Sequence, residues 1–143
     1  QALSASAWTG AAFAGYFVPR LLMLLGIGCV IHYARDGLWM PRGAAERPVW
    51  SIWLGYLATL TVINAFWAWG YFDHNAVLVL ASVLSGFAFM AMAGHLWGGN
   101  AIIGLMFFAV AAVCIQWPTT AALALGTSWL VAMLILGRRY GSE

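Results

Sequence analysis

Three histidines, two cysteines, four acids and six arginines carry nearly all the ionisable chemistry of this 143-residue chain. His32 and His95 are the most suggestive pair. Each lies at the end of an apolar stretch, in "GIGCVIHYARD" and "AMAGHLWGGN". On a helical path that alternates direction, the two ends fall at the same depth. Two neutral imidazoles at matched depth on different helices can ligate one haem iron, or each can hold a chlorophyll magnesium. Either chemistry needs the second ring nitrogen held by a partner. His95 and His32 are therefore the candidate cofactor ligands, and haem or chlorophyll the candidate cofactor. The simpler reading is an interfacial histidine that complements the negative end of a helix dipole.

The remaining reactive groups offer less. Asp73 and His74 in "FDHN" supply two ligands in one turn, which do not make a metal site. Ser85 and Gly86 in "VLSGFAF", followed by His95, resemble a serine–histidine pair but lack the polar framing of an intramembrane nucleophile. There is no phosphate-binding GxxxxGK, no GxGxxG, no HExxH and no pair of acids close in sequence. Cys29 and Cys114 are isolated in apolar runs and read as small buried hydrophobes. With four acids in the whole chain, general acid–base chemistry has little material, and a non-catalytic protein is expected.

The elements that must position these groups follow from composition. The chain is 64% hydrophobic and 7% charged, where a soluble domain carries about 25% charged residues. So few charges cannot cover a water-facing surface, and the expectation is an integral membrane protein. The net charge of +2 is small and split between two short segments, which argues against nucleic acid as a partner.

A spanning helix needs about 20 mainly apolar residues. Five stretches meet or approach this, at 7–33, 49–71, 76–97, 101–117 and 120–137. The predicted fold is an all-α polytopic transmembrane bundle forming a single domain over 1–143. Its breaks have turn chemistry. "RDGLWMPRGAAERP" is the one long polar loop. "FDHN" offers Asp73 or Asn75 as a helix cap. "GGN" offers glycines for positive φ, and "QWPTT" places Pro118 near a helix start with Thr119 or Thr120 as cap.

Arg35, Arg42 and Arg47 precede the second stretch, and Arg138 and Arg139 follow the last. Five spans put both groups on one side. The positive-inside rule makes that side cytoplasmic and the N-terminus external. A bacterial inner membrane is the expected location. Trp39, Trp50, Trp53, Trp67, Trp69, Trp97 and Trp117 fall near predicted helix ends, as interfacial anchors do. Small residues recur at four-residue spacing in Gly10/Ala14, Ser82/Gly86 and Ala122/Gly126, where helices could approach closely. Arg20, beside Pro19 inside the first stretch, must snorkel to an interface or find an internal partner.

The segment "AAERPVWSIWLGYL" (44–57) resembles the multi-helix membrane region that follows the catalytic domain in many planctomycete-type serine/threonine protein kinases. The "ERxxW" stretch leading into a tryptophan-rich helix start carries this likeness. "VLSGFAFMAMAGHLWGGNAIIGLMFFAVA" (83–111) and "SWLVAMLILGRRY" (128–140) extend it. No Gly-rich loop, HRD or DFG of the kinase domain is present, so no phosphotransfer residue carries over. The resemblance implies a membrane anchor or sensory module.

Two functional expectations follow. One is a non-catalytic module that anchors, senses or assembles, in contact with the lipid bilayer and with other membrane subunits or copies of itself. The other is a small integral subunit of a bioenergetic or photosynthetic complex, with His95 or His32 holding haem or chlorophyll.

Overall fold

A computed structural model describes residue 25 and residues 46–140 of the chain. The chain divides into two compact units, 1–42 and 43–143. Of the first only Leu25, helical and exposed, is described. The rest of the predicted 7–33 span, with His32, Arg20, Cys29 and Gly10/Ala14, lies outside the described residues. The second unit holds four α-helices: α1 (Glu46–Ala68), α2 (His74–Ala93), α3 (Asn100–Gln116) and α4 (Ala121–Tyr140). A 3-10 turn, Pro118–Thr120, joins the last two. No strand occurs among the described residues. Three helical stretches, Glu46–Ala68, His74–Ala93 and Pro118–Arg139, are long and apolar enough to cross a membrane. Helix α3 is apolar and has 17 residues, the lower limit for a span at about 1.5 Å per residue.

Each boundary has a local cause. Glu46 stands in the first turn of α1, where a carboxylate complements the positive end of the helix dipole. Pro48 follows within that turn, where its missing N–H breaks no helical bond. The helix therefore starts three residues before the predicted 49. It also stops earlier than the predicted 71, because Gly70 takes φ +81°. The Gly70 N–H then donates to the Trp67 carbonyl at 2.9 Å, and the Tyr71 N–H to the Phe66 carbonyl at 2.9 Å. This is the Schellman arrangement, completed by contact of the Phe66 and Tyr71 rings at 5.9 Å.

Asp73 caps α2 as expected, its Oδ1 accepting from the Ala76 N–H at 2.6 Å. Helix α2 ends at Ala93 and not at 97. The N–H groups of His95 and Leu96 both turn back onto the Met92 carbonyl, at 3.0 and 2.9 Å. The expected role of the "GGN" glycines needs correction, since among the described glycines only Gly70 has positive φ. Gly99 sits at φ −62°. A Cβ there would overlap the Trp97 ring, so this glycine supplies space. The threonines after Pro118 are not caps either. The Thr120 hydroxyl donates back to the Trp117 carbonyl at 3.1 Å.

The helices run up and down, with α2 at the centre of the unit. Helix α2 is the most buried of the three long apolar stretches, at 44% of its most apolar part against 11% for Glu46–Ala68 and 17% for Pro118–Arg139. Two core clusters lie at opposite ends. Phe89, Met92, Ile103, Phe107 and Ala132 pack with Val49, Trp53 and Trp129 near the start of α1 and the α2–α3 turn. Val110, Cys114 and Ala121 pack with Leu78 and Val79 near the other end.

Between them runs the α2–α3 seam. A Cβ built on Gly86 would stand 3.0 Å from the Gly104 carbonyl oxygen, and one on Gly104 would stand 2.8 Å from that of Gly86. Each glycine thus receives the other's backbone. The Ser82/Gly86 pair does lie on a close-packed face, with both residues buried. Ala122 and Gly126 are exposed, so α4 turns a different face inward, through Ala121, Ser128 and Ala132.

Candidate functional site

The interior of the described bundle gathers neutral polar groups around an aromatic cluster. Tyr56, one turn along α1 from Trp53, is buried, as is Ser85 on α2. The two oxygens lie 3.3 Å apart. The Ser85 hydroxyl already donates to the Ala81 carbonyl at 2.7 Å. Its proton is therefore committed, and Tyr56 must be the donor across the helices.

Above this pair the rings close together. Trp53 stands edge-on to Tyr56 at 5.5 Å and to Phe89 at 6.0 Å. Phe89 stacks on Phe107 at 5.5 Å with planes 5° apart, and Trp129 tilts over Phe107 at 5.2 Å. Such pairs each contribute about 0.5–1.5 kcal/mol beyond their burial. Trp53 was expected among the interfacial anchors. The structure places it here, because residues 53 and 56 share the face of α1 that meets α2. Trp129 belongs to the same cluster, and sequence position alone gave no sign of it.

Beside Tyr56 a groove of about 260 Å³ opens between α1 and α2. Ser51, Gly55 and Thr59 form its α1 wall, and Leu84, Phe87 and Ala88 its α2 wall. Gly55 leaves a notch, since nothing stands within 4 Å of a Cβ built there. The Ser51 hydroxyl donates to the Pro48 carbonyl at 2.8 Å.

At the other end Ser82 donates to the Leu78 carbonyl at 2.8 Å. Its oxygen lies 4.0 Å from the Cys114 sulfur, which in turn is 3.7 Å from the Ala121 carbonyl. Cys114 is a free, buried thiol, as expected. Two carboxamides were not anticipated as buried. Asn64 donates to the Leu60 carbonyl at 2.6 Å, while its Oδ1 has no hydrogen-bond partner. Asn100 is 1% exposed, and neither of its side-chain polar atoms is partnered. In the interior an unmet polar group costs about 1–3 kcal/mol.

His95 is exposed in the α2–α3 turn and is not the last residue of a helix. Its backbone N–H is bonded to Met92. His74, the first residue of α2, is also exposed, and its ring stands edge-on to Trp67 at 6.1 Å. Among the described residues no three of His, Cys, Asp and Glu come together as a metal site. His95 and Ser85 belong to different surroundings, one exposed in a turn and one buried in the seam. No protein-family model, curated protein or solved structure matches this chain.

Proposed function

We propose that this chain is a non-catalytic integral membrane module that anchors and assembles, in contact with lipid and with other membrane subunits or a second copy of itself. The observation that carries this reading is the state of the interior. Every buried polar side chain among the described residues is uncharged: Asn64, Ser82, Ser85, Asn100 and Ser128, with the hydroxyl of Tyr56. The three serines donate to a carbonyl one turn earlier on their own helix. The serine hydroxyls are held by backbone carbonyls, and the Tyr56 hydroxyl reaches Ser85 across the helices. They present no acid–base couple to a substrate. The resemblance read in the sequence over most of 44–140, to the membrane region of planctomycete-type kinases, would fit an anchoring or sensory role.

Orientation belongs to the same proposal. Arg47, Arg138 and Arg139 share one end of the bundle, and the α1–α2 turn with Asp73 forms the other. The positive-inside rule sets the arginine end in the cytoplasm, and a bacterial inner membrane is the proposed location.

The test uses the full chain in lipid nanodiscs. Light scattering is expected to give a mass above that of one copy, or co-purification with a defined membrane partner. A monodisperse, partner-free monomer overturns the assembly role. An absorption band in the visible, removed by His95→Gln, overturns the reading in favour of a haem- or chlorophyll-holding subunit.

A further inference from the structure

The α1–α2 turn is the most aromatic exposed segment among the described residues. The sequence "FWAWGYFDH" (66–74) carries five aromatic rings and a histidine in nine positions. Phe66 is the hub. Trp69, Tyr71 and Phe72 pack around it at 6.0, 5.9 and 6.0 Å, the last two edge-on. Trp69 and Tyr71 are nonetheless 71% and 74% exposed. They flank Gly70, whose positive φ and Schellman bonds fix the backbone beneath them. The two rings are thus held by backbone geometry and by Phe66 while leaving most of their surface open.

The charge at this turn has one sign. Asp73 is the only charged residue from Pro48 to Gly137. Glu46, Arg47, Arg138 and Arg139 belong to the other end of the bundle. The start of α2 would ordinarily attract an anion through its free N–H groups and dipole. Here the Asp73 carboxylate already takes the Ala76 N–H, and its carbonyl takes the Val77 N–H at 3.3 Å. One of those donors is thus capped, and a phosphate meets the negative Asp73 carboxylate beside the rest. A cation finds aromatic rings, whose faces are negative, together with a carboxylate. The turn joins two helices long and apolar enough to cross a membrane, so it lies where headgroups lie.

We propose that Trp69, Tyr71 and Asp73 form a seat for the ammonium group of a zwitterionic lipid headgroup. The ammonium rests against the two rings, with the carboxylate as counter-charge. This rests on the membrane reading above and goes beyond interfacial anchoring, because it selects a headgroup by charge.

The test exposes the full chain in mild detergent to an equimolar mixture of phosphatidylcholine, phosphatidylethanolamine and phosphatidylglycerol. Native mass spectrometry then counts the lipids retained. The two ammonium lipids are expected to be enriched about two- to fivefold over phosphatidylglycerol. The W69A/Y71A double variant should lose that enrichment, and D73N should reduce it. A W69F/Y71F variant keeps the ring faces and should retain most of it, which separates ring chemistry from loss of fold. Equal retention of all three lipids, a preference for phosphatidylglycerol, or an enrichment unmoved by W69A/Y71A overturns the proposal. Tetramethylammonium binding without any lipid preference overturns the lipid as occupant. Failure to enter nanodiscs at all counts against the membrane reading itself, whereas entry without headgroup preference removes only the seat.

Discussion

The two ends of the described bundle are closed by different means. At the α2–α3 turn the core is made of rings, with Phe89, Phe107, Trp53 and Trp129 in mutual contact. At the α1–α2 turn end it has no rings: Val110, Cys114 and Ala121 pack with Leu78 and Val79, and the Cys114 sulfur lies 4.0 Å from the Ser82 hydroxyl. The Gly86–Gly104 crossing stands between them. Large rings fill the space between helices at one end, and at the crossing the two glycines let the backbones approach. In lipid this distinction governs stability, because helices associate by van der Waals packing and interhelical bonds and gain nothing from leaving water. The aromatic end should then depend on volume and the seam on the absence of it.

The largest effect is expected from emptying the aromatic end. Phe89→Ala removes the ring that touches Trp53, Phe107 and Trp129. It should cost about 3 kcal/mol, the low end of the range for soluble cores. Unfolding measured in mixed micelles would check this, and a loss under about 1 kcal/mol would show that the rings are not the closing element.

Filling the seam comes next. In Gly104→Ala the new methyl would stand 2.7 Å from Met90 Cγ and 2.8 Å from the Gly86 carbonyl. The methionine can move and the carbonyl cannot, so α2 and α3 must separate. A cost of about 2 kcal/mol, typical of overpacking, is expected in the same assay. Gly55→Ala in the open wall of the α1–α2 groove, where nothing stands within 4 Å, is the control and should be neutral or slightly stabilising through helix propensity. Equal costs for the two would erase the distinction between a seam glycine and a surface one.

Interhelical hydrogen bonding ranks third. Tyr56→Phe deletes the donor to Ser85 and leaves the ring in place. About 0.6 kcal/mol is the average for such bonds in membrane proteins. The 3.3 Å separation argues for no more than that, and a double-mutant cycle with Ser85→Ala would measure it. Coupling above about 2 kcal/mol would make the hydroxyl pair, and not the rings, the principal tie of α1 to α2.

The smallest effect is expected at His95. Its side chain is exposed, so His95→Gln should change stability by less than about 0.5 kcal/mol. A larger loss, or a change in the visible spectrum, would show that the α2–α3 turn is a site and not only a reversal.

The sequence by itself determined the helicity, the approximate breaks and the apolar runs long enough to cross a membrane. Too few charges for a watery surface, four apolar runs of near-spanning length from residue 46 onward, and turn residues between them are all local quantities. Asp73 as a cap and Cys114 as a buried thiol were legible for the same reason. The tertiary structure decided which faces meet. In a water-soluble helix the polar side marks the outside, but here apolar residues run round every helix and hydropathy carries no facing signal. Trp53 and Trp69 therefore look alike in sequence, yet one joins the core cluster and the other stands exposed. Ser82/Gly86 and Ala122/Gly126 have the same spacing, yet only the first lies in a seam. Its partner Gly104 has no such spacing to reveal it. Those outcomes depend on how closely two particular backbones approach, and that is set by residues distant in the chain.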